Sequence, residues 1–525
     1  MSTPGDAQTI PVGGEPLRAP RFAFRRRDRR DGGRAIERSP TKINIAAVSL
    51  GAIVALSLLV VVMAAARPSL LSPTTHTNFY PRWMAGPLGG LWQGLTTNGT
   101  TLKYWFSGAI VLMYVGYVTA IRRSHELSLR WVVGSILAVH FIFVLAPPLA
   151  LTDVFNYINY GRMEVVHNLN PYTSIPIVEP HNDPSFILSN WHELLSPYGP
   201  LFTMLTFLVV PLGVAGSFWA LKVILAAASL TTIWLVWKCA KLLGRDPLKA
   251  ILYVGCNPIV LVWGLGGDHN DFLMLVFIML GFYLLLRADA ARGADQEHAW
   301  PGRLPGAAQI KGWLLPLSAA EIAAGAAFML ACAIKASGAV LLPVVLIALL
   351  HKPRALVQTM LGMALAAVAV AALSLLAFGL HIPDLSTQSK LVTSESVPNL
   401  IGLAIGQGGE SEGLHTVMTA LLGLSVLACC GYAWRRRDSI TASAWASIAL
   451  LVTLSWVLPW YVLWALPLAA LSGSRRVRVA VLLVGVYLIV AWAPVSGLVW
   501  GDIDFHPEKT TIGRLHQRYV KELLN

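Results

Sequence analysis

The chain has 525 residues, of which 55% are hydrophobic and 13% charged, with 18 Trp and a formal net charge of +13. A soluble domain carries about 25% charged residues, so composition argues against a water-soluble core of this size and for an integral membrane protein. The basic residues fall in short clusters between long apolar runs, with no stripe interleaved by aromatics, so they read as a membrane-topology signal and nucleic acid is not an expected partner. Cys239, Cys256, Cys332, Cys429 and Cys430 lie in or beside apolar segments without metal-ligand spacing, which speaks against a disulfide framework or a zinc site.

Residues 1–42 form a polar arm with ten Lys/Arg against three acids between Arg18 and Lys42, expected to be a disordered basic cytoplasmic segment. The run from Ile45 to Ala66 has the length of a retained membrane-spanning helix and opens an expected transmembrane catalytic domain over 43–500. Apolar runs follow near 104–121, 131–150, 217–238, 250–264, 271–287, 317–334, 337–350, 355–380, 414–434, 440–456, 459–471 and 477–499, which gives about thirteen spans. The fold class expected is therefore an all-α polytopic bundle, followed by a C-terminal tail over 501–525. Starting with the arm inside, the clusters at Arg122-Arg123, 238–249, 287–311, 351–354, Arg435-Arg436-Arg437 and 475–478 share one cytoplasmic parity if Leu201 to Gly216 does not cross the membrane. The stretches 67–103, 151–200, 265–270 and 381–413 then face the other side.

The residues unusual for a membrane protein gather in those stretches. Asp153, Arg162, Glu164, His167 and Asn170 lie in the loop 151–200, Asp268-His269-Asn270-Asp271 form a tight polar turn, and Lys335 follows an apolar run. Ionisable groups at membrane depth are costly and mark functional sites by default. Helical spacing aligns Asp153, Tyr157, Tyr160 and Glu164 on one face; Asp153 is then either a helix cap or a carboxylate presented to a cavity. Trp456, Trp460 and Tyr461 are either an interfacial aromatic belt or stacking platforms. Asn98-Gly99-Thr100 has the form of a glycosylation sequon, and no Walker motif is present.

The runs Asp153-Val-Phe-Asn-Tyr-Ile-Asn-Tyr-Gly-Arg162, His167-Asn-Leu-Asn-Pro-Tyr172, Tyr198-Gly-Pro200, Asn257-Pro258 and Gly266-Gly-Asp-His-Asn-Asp271 resemble those of actinobacterial polyprenol-phosphate-mannose-dependent α-1,6-mannosyltransferases. These belong to the GT-C superfold, and the resemblance runs from about residue 131 to 471. It implies an inverting hexosyltransferase of the plasma membrane, with a cytoplasmic N-terminus and a site facing outside. A polyprenyl-phosphate sugar would be the donor, a glycan or lipoglycan the acceptor and membrane lipids the surroundings. Asp153 matches the position of the catalytic base. Arg162, His167, Asn170, Asp268, His269, Asn270, Asp271 and Lys335 are the candidate substrate-binding residues. Asp268 and Asp271 are the candidates for holding a divalent cation, Mg or Mn, because the turn resembles an acidic metal-holding turn of related oligosaccharyltransferases. A glucose or arabinose donor, or a transporter or flippase of lipid-linked glycans, are the alternative readings.

Overall fold

In the computed structural model the described residues are 44–66, 81–91, 98–149, 152–297 and 318–524. The basic arm 1–42, all of 67–80 and the greater part of the cluster 287–311 lie outside them. Among the described residues the secondary structure is helical throughout, with no strand.

Helix α1 (Ile45–Ala66), α2 (Gly99–Arg122) and α3 (Leu129–Val144) pack against one another. Asn98 begins α2 as its cap, its side-chain oxygen accepting from the backbone N–H groups of Thr100 and Thr101 at 3.0 and 3.1 Å. The sequon-like triplet therefore has a local structural use. Next come α4 (Asp153–His167), the short α5 (Pro184–Leu188) and α6 (Pro200–Val209); a 3₁₀ turn at Val210–Leu212 then leads into α7 (Gly213–Leu242). The segment Leu201 to Gly216 is thus most of α6, the turn and the first residues of α7.

The run expected as one span over 250–264 is divided. Helix α8 (Pro247–Gly255) ends before Asn257-Pro258, and a π-helical turn follows at Val260–Leu265. The cause is local: Asn257 Oδ1 accepts from the N–H groups of Ile259 and Val260 at 3.0 and 3.3 Å, and Pro258 has no N–H to continue the ladder of α8. Helix α9 (Asp271–Glu297) starts directly after the polar turn.

Helices α10 (Ala319–Ile334), α11 (Leu342–Leu349) and α12 (Pro353–Phe378) follow, and α10 packs on both α9 and α12. At the α10–α12 crossing a Cβ on Gly325 would run into the Thr359 carbonyl oxygen, and one on Gly362 would run into that of Ile322. Glycine at both positions lets the two backbones touch, the close approach that stabilises helix pairs where lipid removes the hydrophobic drive. The remaining elements are α13 (Val397–Ala404), α14 (Glu412–Arg436), α15 (Ser439–Thr453), a 3₁₀ turn at Pro459–Trp464 with α16 (Leu466–Leu471), α17 (Arg475–Trp492), α18 (Ser496–Asp502) and α19 (Thr511–Leu524).

Six helical stretches among the described residues are long and apolar enough to cross a membrane, and a seventh arises if α17 and α18, bent by 70°, are one span. Five shorter apolar helices accompany them. The helices are interrupted at Asn257-Pro258, Lys335 and Pro459, which places non-helical backbone inside the bundle. Such backbone is tolerated at membrane depth where protein buries it or it lines a cavity. Those breaks lie where the polar residues converge.

Candidate active site

Helix α4 is placed by its neighbours before its own residues act. The Leu149 N–H donates to Gly266 O at 2.8 Å, tying the entry of α4 to the polar turn. Thr152, the residue before the helix, makes no side-chain cap; its hydroxyl donates instead to Asn190 Oδ1. Asn156 Oδ1 accepts from the N–H groups of Asn190 and Trp191 at 3.2 and 3.4 Å, so the far arm of the loop is folded against the first turn of α4. Tyr157 is buried edge-on against Tyr198 and Phe202, both at 4.8 Å between ring centres. Tyr198 is held there because Gly199 has no Cβ to meet the Ala333 carbonyl, and its N–H donates to Ile334 O at 3.1 Å.

Asp153 thus starts a helix anchored on several sides, and its carboxylate remains 17% exposed. Its Oδ2 lies 3.3 Å from Nδ1 of His269, within ion-pair range although not aligned as a hydrogen bond. The His269 ring stacks on Trp460 with centres 3.5 Å apart and planes 9° from parallel. That contact fixes the imidazole plane beneath Asp153.

The rest of the polar turn is sealed. Asp268, with φ of +58°, turns the chain in a left-handed conformation that Asp and Asn tolerate. Its carboxylate takes Lys222 Nζ at 2.9 and 3.1 Å, and the two side chains are 2% and 1% exposed. Asp271, fully buried, holds Lys335 Nζ at 3.0 and 2.8 Å and accepts from Trp464 Nε1 at 2.5 Å. Lys335 also sits 5.1 Å from the Tyr461 ring centre and 5.6 Å from that of Trp464, a cation–π cradle that leaves 18% of its side chain exposed. Between the two pairs, the Asn270 side chain is fully buried and neither its oxygen nor its nitrogen has a hydrogen-bond partner. A buried amide of that kind costs free energy unless something else satisfies it, so it is a candidate contact for a bound polar group.

The structure brings together Asp153, Asp268, His269, Asn270, Asp271 and Lys335. The other candidates sit elsewhere. Arg162 makes a two-pronged pair with Asp183, Nε to Oδ1 at 3.0 Å and Nη2 to Oδ2 at 2.7 Å, and His167 Nε2 lies 2.9 Å from the same Oδ2. Burial opposes the Asp183 charge, but Arg162, the Ser185 donors and His167 together hold its carboxyl well below the usual carboxylate range. These residues clamp the loop onto the far half of α4. Asn170 donates to Phe378 O at 2.8 Å and accepts from the Tyr172 N–H at 3.0 Å, which joins the loop to the end of α12. Glu164 lies eleven residues beyond Asp153 on α4, about 16 Å along its axis. It does not share the polar turn.

Two residues of this cluster were not evident from the motifs. Lys222 is the only charged residue between Glu193 and Lys238, and an ionisable group alone in so apolar a run was itself the available signal. Trp464 carried no such mark; only the fold shows its indole reaching Asp271. For a divalent cation the fit fails in this arrangement. Asp268 and Asp271 each hold a lysine ammonium, and among the described residues no group of three or more His, Cys, Asp or Glu is placed to hold a metal ion.

A helical bundle with interrupted helices converging on a buried acidic turn defines a polytopic membrane protein. The family described as alpha-(1→6)-mannopyranosyltransferase, N-terminal domain, matches residues 47–351, and the MptB C-terminal domain matches 396–504. The chain belongs to this family. It is 28% identical over 66% of its length to a probable alpha-(1→6)-mannopyranosyltransferase of Mycolicibacterium smegmatis, and 25% identical over 67% to alpha-(1→6)-mannopyranosyltransferase A of Mycobacterium tuberculosis. The matched part spans about two thirds of each relative, 66% and 67% respectively. No solved structure matches the chain.

Proposed function

We propose that the protein transfers mannose from a polyprenyl-phosphate-mannose donor to a hydroxyl of a mannan or lipoglycan acceptor, forming an α-1,6 linkage with inversion, on the external face of the plasma membrane. The observation that carries this reading is Asp153, a partly exposed carboxylate at a fixed helix start, 3.3 Å from His269 on an otherwise sealed polar turn. Family membership and the activity for which the relatives are named support the sugar and the linkage.

Direct inverting displacement needs one general base and no enzyme nucleophile. The acceptor oxygen bonds to the anomeric carbon as that carbon's bond to the phosphate oxygen breaks; the hydroxyl proton passes to Asp153, and the bonding pair leaves with the lipid phosphate. His269, held flat on Trp460, keeps Asp153 in place. Lys335 is the cation of this cluster with an exposed portion, and it supplies the positive charge for the departing phosphate. Asn270 offers an unpartnered amide to a sugar hydroxyl. Asp268 with Lys222 fixes the turn that carries both His269 and Asn270.

Asp153→Asn tests the assignment, since asparagine retains size and removes the proton acceptor. Transfer should fall by about 10²- to 10⁴-fold, with donor affinity changed far less, in detergent-purified protein of matched monodispersity. Retention of more than about a tenth of wild-type turnover would place the base elsewhere.

A further inference from the structure

Outside the site just described, the structure holds a cavity of about 410 Å³. Its walls come from the segment after α12, from the indoles of Trp456 and Trp492, and from α19 with the turn before it. The volume is that of a small-molecule pocket, roughly 300–1,000 Å³. Glu395, Asn399, Glu508, His516, Gln517 and Lys521 are among its polar lining residues. Trp492 Nε1 is buried there with no hydrogen-bond partner. Burial pushes the Glu395 carboxyl up, and the nearby Glu508 charge adds to the effect.

We propose that this cavity is a subsite for the acceptor glycan, binding a mannosyl unit between the two indoles and the polar side chains of α19 and residue 395; the assignment of the glycan class rests on the proposed function. Indole faces pack against the C–H faces of a pyranose, while carboxylate, amide and ammonium groups meet its hydroxyls, which both donate and accept. Two carboxylates against one lysine disfavour a phosphate or other anion. The polar walls equally disfavour a lipid chain.

The cavity is mechanically joined to Asp153. The Trp456 ring meets the edge of Trp191 at 6.1 Å and 81°, and Trp191 is held by Asn156 on α4. The adjacent Asn190 receives the hydroxyl of Thr152, the residue before Asp153. Helix α19 closes the outer side: the Glu193 N–H donates to Leu523 O at 3.2 Å, and the Tyr519 hydroxyl donates to Thr387 O at 3.0 Å. The same loop therefore carries the base at one end and leans on the cavity at the other. That is the arrangement needed to deliver a polymer's terminal hydroxyl while an inner sugar is gripped. Helix α19 lies beyond both matched family regions, so this wall belongs to the part of the chain those regions do not describe.

The test uses the full-length protein in detergent, with a short α-1,6-linked mannoside as probe, read by tryptophan fluorescence without donor and by acceptor kinetics with a polyprenyl-phosphate-mannose donor. Trp456→Ala and the near-isosteric Glu395→Gln should each weaken mannoside binding and raise the acceptor KM by about tenfold, while kcat at saturating acceptor falls much less. Binding that is lost in both variants supports the subsite even if no polyprenyl phosphate is released in any assay, an outcome that would sink the proposed reaction alone. No mannoside binding to the wild type, or acceptor KM unchanged in the folded Glu395→Gln protein while transfer proceeds, overturns the subsite and leaves the proposed reaction standing.

Discussion

Replacing Lys222 by Met removes an ammonium that is 1% exposed and leaves the Asp268 carboxylate, 2% exposed, facing apolar α7 without its lysine partner. Both Asp268 oxygens contact Nζ, at 2.9 and 3.1 Å, so the substitution breaks a two-contact buried pair. Breaking such a pair from one side costs about 3–5 kcal/mol, whereas removing both partners is often close to neutral. Lys222→Met should therefore be the most damaging single change in α7. Asp268→Asn should cost less, because a buried lysine can shed its proton and the left-handed backbone at 268 accepts asparagine. The double variant should recover at least about 2 kcal/mol relative to the sum of the singles. Because unfolding of a membrane protein is commonly irreversible, the measurement is the inactivation half-life of the four proteins at one temperature in one detergent. Strict additivity of the two singles in the double would show that the pair is not coupled, and the sealed turn would have to be abandoned.

Lys335→Ala should likewise destabilise by about 3–5 kcal/mol, since Asp271 is fully buried, and Lys335→Arg should restore much of that together with donor KM; equal melting temperatures for all three would refute the pairing. Burial raises Glu179 from its ordinary 4.5 to about 7, partly offset by the Asn159 amide at 2.6 Å. Its contribution is fully present below about pH 4.5 and is lost as pH rises to about 7, so the wild type should lose melting temperature between about pH 4.5 and 7 relative to Glu179→Gln and run parallel to it above; parallel curves throughout would contradict this. Gly325→Ala forces a methyl against the Thr359 carbonyl and should cost about 1–3 kcal/mol, read as a shorter half-life, whereas Gly423→Ala on open surface should be silent.

The motif residues around the proposed chemistry were legible because charge inside an apolar chain is rare: Asp153, the four residues Asp268 to Asp271 and Lys335 stand out one by one. What the sequence could not show was their pairing. Lys222 and Asp268 are 46 residues apart, Lys335 and Asp271 are 64 apart, and each pair is decided by which helices meet. Arg162 and His167 looked like binding groups because they are polar and close to Asp153 in number, yet a helix carries them away at about 1.5 Å per residue and Asp183 claims both. Local breaks were hidden for the same reason: the apolar run at 250–264 is divided at Asn257-Pro258, and the run at 459–471 is a short apolar helix opening with a 3₁₀ turn that carries Trp460 against His269.

The two lysine–aspartate pairs leave Asp153 as the carboxylate of the cluster whose charge no lysine cancels. In the proposed reaction the donor phosphodiester brings one negative charge, the departing lipid phosphate as a monoester carries about 1.5 to 2 at neutral pH, and the added charge is what Asp153 gives up when it takes the acceptor proton. In the proposed reaction transfer thus exports an anion from protein to lipid, and a second turnover waits until that proton leaves Asp153. Its exposed edge, 17% of the side chain, is the exit open to it. Each glycosidic bond would then be accompanied by one proton released toward the side on which Asp153 opens, so that sugar transfer in a weakly buffered vesicle suspension would register as acidification of that compartment alone.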